Sequence, residues 1–230
     1  MWSKNNDVVR DAALTTPNAY VQVVGIVQAL AVVLLLQEGA LFDLLNEGGA
    51  DLGSAGFWVA FFQATVAFQL IVLVWHVYVQ SSTAFQRILG VADSYIAFSF
   101  LLVEFFIVMN SVPAKFSAWA ISVGLFMLAA IVAYLQFFTR AKRDFEESRA
   151  AFDRIGNYPL IVYAFLVVLG TVALSGYVFN VSDPVSQAML AGAIDVSLLG
   201  FTVIHVRLFW GPIVRAERLR KPFSPHPDAM

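Results

Sequence analysis

The sequence predicts an all-α, polytopic membrane protein with six transmembrane helices, and three observations predict it. Of 230 residues, 60% are hydrophobic, against roughly 45–50% in an ordinary soluble domain. Only 13% are charged, where roughly 25% is usual. The apolar residues fall in six continuous runs, each near the roughly 20 residues a helix needs to cross a hydrocarbon core of about 30 Å. With a mean hydropathy of +0.76, a water-soluble fold would have to bury more apolar surface than a chain of this size can enclose. A soluble enzyme is therefore excluded first. The absence of Cys removes thiolate catalysis, Cys-ligated zinc and iron–sulfur clusters.

The elements follow in chain order. Residues 1–18 form a polar N-terminal segment without the short apolar core and small-residue cleavage site of a signal peptide, so span one, Ala19–Leu36, is expected to direct its own insertion. A loop with four acids, Glu38, Asp43, Glu47 and Asp51, and no base leads to span two, Phe57–Val79. Span three, Ile88–Asn110, and span four, Phe116–Phe138, follow closely. Residues 139–156 combine mixed charges with Phe145, Phe152 and Ile155 at helical spacing, which predicts a helical extension of span four. Spans five and six are Tyr158–Asn180 and Val185–Phe209, completing a transmembrane domain over 19–210, and 211–230 is a basic, Pro-rich tail. Continuous rather than alternating apolar runs exclude a transmembrane β-barrel.

Charge sets the expected orientation. All of the 14 Lys and Arg residues except Lys115 fall on the side of the membrane that holds both termini. By the positive-inside rule that side is the cytoplasm, so an inner-membrane location with both termini cytoplasmic is expected. The lipid bilayer is the expected partner, with homo-oligomers or a larger membrane complex; no nucleic-acid partner is expected.

A charged side chain at the centre of a spanning helix costs at least about 2.5 kcal/mol, so ionisable groups inside the spans carry the functional hypothesis. There are five: His76 in span two, Asp93 and Glu104 in span three, Asp195 and His205 in span six. Counting residues from the span ends sorts them into an inner layer of His76, Asp93 and His205 and an outer layer of Glu104 and Asp195. Asp93 and Glu104 are eleven residues apart, about 20° from eclipsed on a helix, and with Ser99 and Asn110 they predict a polar seam along span three. Gln69 and His76 share a face of span two. Such a seam is how a proton or monovalent-cation path through a helical bundle would look. Histidine suits it because its unperturbed pKa of about 6.5 lets it change charge near neutral pH. The structural alternative is that the same groups pair with one another and only fix helix packing.

Two histidines at similar depth on different helices also have the arrangement of axial ligands to haem b, and His76, Asp93 and His205 have ligand types that suit a metal ion. No P-loop, nucleophile elbow, H-E-x-x-H or retinal lysine is present, so no catalytic motif supports an enzyme activity. A non-catalytic subunit or scaffold is the rival class; its aromatic contact surfaces would be Phe57, Phe61 and Phe62 or Phe105 and Phe106.

The order of small motifs suggests a three-plus-three inverted repeat. Gly90-Val91-Ala92-Asp93 in span three matches Gly192-Ala193-Ile194-Asp195 in span six, and Ala64-Thr65-Val66-Ala67 matches Gly170-Thr171-Val172-Ala173. The stretch from Arg87 through Asp93 to Val103 is similar to the R-x-x-x-F-S-D helix of bacterial relatives of lysosomal potassium channels, which are also six-span units. Here Val91-Ala92 replaces Phe-Ser, and the segment lies in span three rather than span one. The resemblance implies cation conduction.

Overall fold

The computed structural model describes residues 22, 24–37, 52–84, 91–144 and 157–210, and all regular structure among them is helical. Six helices are described: α1 (Val24–Gln37), α2 (Ala55–Ala84), α3 (Val91–Met109), α4 (Phe116–Asp144), α5 (Tyr158–Val178) and α6 (Pro184–Ile204). Four of them hold stretches long and apolar enough to cross a membrane: Ala55–Val77, Pro113–Gln136, Tyr158–Val178 and Pro184–Arg207. The described apolar helix of α1 and the apolar stretch Phe98–Met109 of α3 are shorter. At 1.5 Å per residue the described α1 rises only about 21 Å, so length and composition support four spans directly and leave the other two as shorter apolar helices. The acidic loop 38–51, the extension beyond Asp144 and the tail 211–230 lie outside the described residues.

Helices α3, α4, α5, α6 and α2 pack in succession around a closed ring, with the most extensive contacts between α4 and α5 and between α2 and α6. Of the span in α2, 61% is buried, against 28–44% in the other three long spans. That makes α2 the most buried of the four long spans, and its sequence explains why. Val59, Ala60, Val66, Ala67, Leu70 and Ile71 are all buried, a stripe wide enough to touch neighbours on several sides. On α1 the buried positions are Val24, Gln28, Ala31 and Leu35, a narrow face at alternating spacings of four and three. Large apolar side chains such as Phe68, Phe98, Leu128, Val168 and Met189 point outward, the surface a bilayer would cover.

Local chemistry sets the helix ends. Ser54 Oγ accepts from the Phe57 amide at 3.2 Å and caps α2. A 3-10 turn, Pro113–Lys115, feeds directly into α4. Helix α5 closes with Asn180 at φ 46° and the Val181 amide bonded to the Gly176 carbonyl at 3.1 Å, the left-handed C-terminal arrangement that Asn tolerates. Asp183 then caps α6 by accepting from both the Ser186 amide and its hydroxyl, with Pro184 at the first helical position. The α3–α4 and α5–α6 connections lie at the same end of the bundle, here termed the turn end. At the far end, α6 passes into a π-helical turn, His205–Trp210.

The packing does not show the inverted repeat. A repeat exchanging α1–α3 with α4–α6 would pack α3 against α5 as α2 packs against α6, and among the described residues α3 and α5 make no comparable contact. The aromatic residues named for a scaffold surface divide between the core and the exterior. Phe57 is buried in the chain's own core and stacks with Phe61 at 6.3 Å, Phe61 and Phe62 are partly buried, and Phe106 is exposed.

Candidate functional site

Most polar side chains in the bundle satisfy themselves. The hydroxyls of Thr65, Ser99, Ser111, Ser122, Thr171 and Thr202 each donate to a carbonyl three or four residues back on their own helix, a local solution that requires no neighbour. The expected seam along α3 is thereby corrected. Ser99 is exposed and bonded to the Tyr95 carbonyl, and the Asn110 amide returns to Phe106. Offsets of five and six residues from Glu104 rotate these side chains by roughly 120–140° away from it.

What remains is a small set of polar groups that reach between helices. Glu104 on α3 is 1% exposed, and its Oε2 accepts from Gln28 Nε2 of α1 at 2.8 Å. Asp195 on α6 accepts from Gln69 Nε2 of α2 at 2.7 Å, with Thr65 one turn away also facing the carboxyl. The two acids therefore do not meet each other. Asp195 lies eleven residues into α6, about 16 Å deep, whereas Glu104 lies five residues from the end of α3, about 8 Å. They stand at two depths rather than in one layer.

Both pairs share a deficit. Glu104 Oε1, Gln28 Oε1 and Gln69 Oε1 are buried with no hydrogen-bond partner among the described residues. Each pair has made one amide-to-carboxyl bond and left the amide oxygen without a donor. Gln63, fully buried on the core face of α2, and Trp119 Nε1 are likewise unsatisfied.

The far end holds a different cluster. His205, fully buried where α6 turns π-helical, meets two hydroxyls: Tyr134 of α4 lies 2.7 Å from Nε2 and Tyr158 of α5 lies 3.1 Å from Nδ1. The imidazole stacks with Phe201 at 5.2 Å and Tyr158 at 6.1 Å and meets Tyr134 edge-on. His76 of α2 lies within electrostatic reach of His205, and its Nε2 is buried without a partner among the described residues. The backbone of α3 passes through position 93, but the Asp93 side chain lies outside the described part of the structure.

Among the described residues no three His, Asp or Glu side chains stand close enough together to hold a metal ion. Haem or metal ligation at His205 would have to displace a tyrosine hydroxyl from one of its nitrogens. At the turn end, a cavity of about 750 Å³ is lined by Asn110, Lys115, Ser117, Asn180, Ser182 and Gln187 among others. Its lining also includes Gly56, Val59, Pro113, Phe116 and Pro184, and neither Glu104 nor Gln28 is part of it.

Sequence reasoning singled out the ionisable residues but missed Gln28, Tyr134 and Tyr158. Gln28 carries a signal, a lone amide inside an apolar run. The tyrosines carry none, because Tyr is common both in cores and at membrane interfaces. No protein family, curated protein or solved structure matches this chain.

Proposed function

We propose that this protein is a small channel or secondary transporter that moves protons, using its buried carboxyls as stations. The observation that supports this reading is the shared deficit of the two carboxyl–amide pairs. In each, one N–H···O bond is made and the remaining amide oxygen lacks a donor. A proton on the second carboxyl oxygen would supply that donor and close a cyclic acid–amide pair. A proton bound at Glu104 or Asp195 thus gains a hydrogen bond and removes an unsatisfied acceptor, each of which costs about 1–3 kcal/mol when buried.

The same geometry favours protons over sodium or potassium. An alkali cation stripped of water needs a ring of oxygens to replace its hydration shell. Among the described residues Glu104 has the Gln28 amide beside it, and Asp195 has the Gln69 amide and the Thr65 hydroxyl. In this reading the turn end faces outward, because its connections carry Lys115 alone among the basic residues, and both termini are cytoplasmic. A cavity at that end is lined in part by Asn110, Lys115, Asn180 and Gln187.

The test is proton flux into liposomes loaded with a pH-sensitive dye, driven by a potassium gradient and valinomycin. Glu104→Gln and Asp195→Asn keep the shape of each side chain but remove the protonatable oxygen. Each is expected to lower flux at least tenfold while helical content stays that of the native protein. Native flux in both variants would overturn the reading, and selective potassium flux in the native protein would replace protons by a monovalent cation.

A further inference from the structure

We propose that Tyr134, His205 and Tyr158 form a hydrogen-bonded relay that passes protons between the bundle interior and the far end of the membrane. The proposal rests on the proton reading above and assigns its second half to residues that carry no carboxyl.

The argument begins with what a histidine asks of its neighbours. A neutral imidazole has one donor and one acceptor nitrogen, in either of two tautomers, and the cation has two donors. A site that stores charge satisfies one of these states, usually with a carboxylate opposite the ring. His205 instead has a hydroxyl at each nitrogen, 2.7 Å from Nε2 and 3.1 Å from Nδ1. A hydroxyl both donates and accepts by rotating its hydrogen. Both of these bonds therefore survive in all three states of the ring. The cage accepts a proton and releases it without losing either contact, which is the property a relay needs and a structural clamp does not.

Placement agrees with this. Tyr134, His205 and Tyr158 come from three helices, α4, α6 and α5, and all three are buried. Tyr158 is the first residue of α5, at the far end, so the chain of bonds leads from the core to the edge of the bundle. His205 opens the π-helical turn, a local widening of the helix often found at functional positions. Stacking against Phe201 and edge-on contact with Tyr134 hold the ring plane. His76, on the neighbouring α2, lies within electrostatic reach of the ring.

The step balances as follows. A proton reaching Tyr134 Oη bonds there as the original hydroxyl proton moves to Nε2. The Nδ1 proton moves to Tyr158 Oη, and the Tyr158 hydroxyl proton passes to an acceptor at the far end. One proton is taken up and one released, no electrons move, and the imidazole is left in its second tautomer. A proton passing one way and a proton passing the other therefore leave the ring in opposite tautomers.

Two measurements test the relay. Proton flux is compared in the native protein, Tyr134→Phe, Tyr158→Phe and the control Tyr163→Phe, whose ring packs on Phe138 and whose hydroxyl is not one of the two at His205. Solid-state ¹⁵N NMR of His-labelled native protein in bilayers reads the two His205 nitrogens, assigned with His205→Gln. The expected result is at least a tenfold loss of flux in Tyr134→Phe and Tyr158→Phe, native flux in Tyr163→Phe, and averaged nitrogen signals that show both tautomers in exchange. Native flux in Tyr134→Phe overturns the relay while leaving the carboxyl stations standing. Absence of flux in the native protein overturns the transport reading. The nitrogen signals then decide alone: averaged signals support a proton-exchanging triad, and a single fixed tautomer overturns it. The same signals decide if the tyrosine variants fail to fold.

Discussion

The two most extensive helix contacts in the bundle, α4 against α5 and α2 against α6, are built on opposite chemistry. Between α4 and α5 the contact is apolar and close. A Cβ built at Gly124 would fall 2.6 Å from Leu174 Cγ and Cδ2, and one at Gly170 would fall 3.1 Å from Met127 Cβ. Both glycines let the backbones approach, the means by which helices associate in a solvent as apolar as their own side chains. Between α2 and α6 the centre is the Gln69–Asp195 bond, flanked on the His205 side by His76. Gly192 there receives the face of the Phe62 ring, with a built Cβ 3.0 Å from it. One interface holds by shape, and the other places an acid and an imidazole within it. Glu104 stands on a further contact, with Gln28 of α1, and His205 at the junction of α4, α5 and α6, while the close packing at Gly124 and Gly170 carries no ionisable group.

Breaking the apolar seam should have the largest effect. Gly124→Leu inserts four carbons where a single one already collides, and is expected to destabilise the bundle by about 3 kcal/mol, read as a shift in the SDS-induced unfolding midpoint. Native unfolding in this variant would show that α4 and α5 are not closely packed. On the polar seam the expected loss is smaller. Gln69→Leu removes the donor to Asp195 and should cost about 1 kcal/mol, whereas the double variant Gln69→Leu with Asp195→Leu should recover most of it, because an apolar pair leaves nothing unsatisfied. A double variant less stable than Gln69→Leu alone would mean that Asp195 holds α6 through other partners.

A third change sharpens the comparison from outside either seam. Gly200 on α6 has open space where a Cβ would stand, so Gly200→Ala should stabilise by about 0.5–1 kcal/mol through helix propensity alone. Destabilisation would show that this face of α6 is covered by another chain. The smallest effect is expected at the exposed cap of α6. The Ser186 amide and hydroxyl, the amide first, hold the Asp183 carboxyl below its ordinary value of 3.8. A carboxyl whose folded value is depressed adds stability that is fully present above the ordinary value and is lost as pH falls through the lower folded one. Asp183→Ala should therefore lower the melting temperature slightly at pH 6 and approach the native protein near pH 2. An undiminished difference at pH 2 would assign the effect to something other than the carboxylate cap.

The fold was legible in the sequence wherever hydropathy alone decides. The runs beginning at Phe57, Phe116, Tyr158 and Val185 correspond to the four long spans of α2, α4, α5 and α6 to within a few residues at their starts. The polar pairs were legible only in part. Asp195 and Glu104 stand out because an acid is costly in an apolar run, but nothing local says that Gln69 and Gln28 face them. Ser99 and Asn110 looked like members of the same seam by composition, yet their rotation and their bonds to their own helix turn them away. The likeness of Gly90–Asp93 to Gly192–Asp195 suggested symmetry, whereas Gly192 makes room for Phe62.

By itself the sequence determined that the chain is helical and apolar enough to enter a membrane, where its long helices begin, and which side chains would be expensive to bury there. These are sums over neighbouring residues and need no knowledge of partners. Only the tertiary structure decided that Glu104 meets Gln28, that Asp195 meets Gln69, and that His205 sits between two tyrosines from different helices. Those contacts depend on the rotation and approach of whole helices, which close packing at Gly124, Gly170 and Gly192 sets at a distance from the polar groups it aligns.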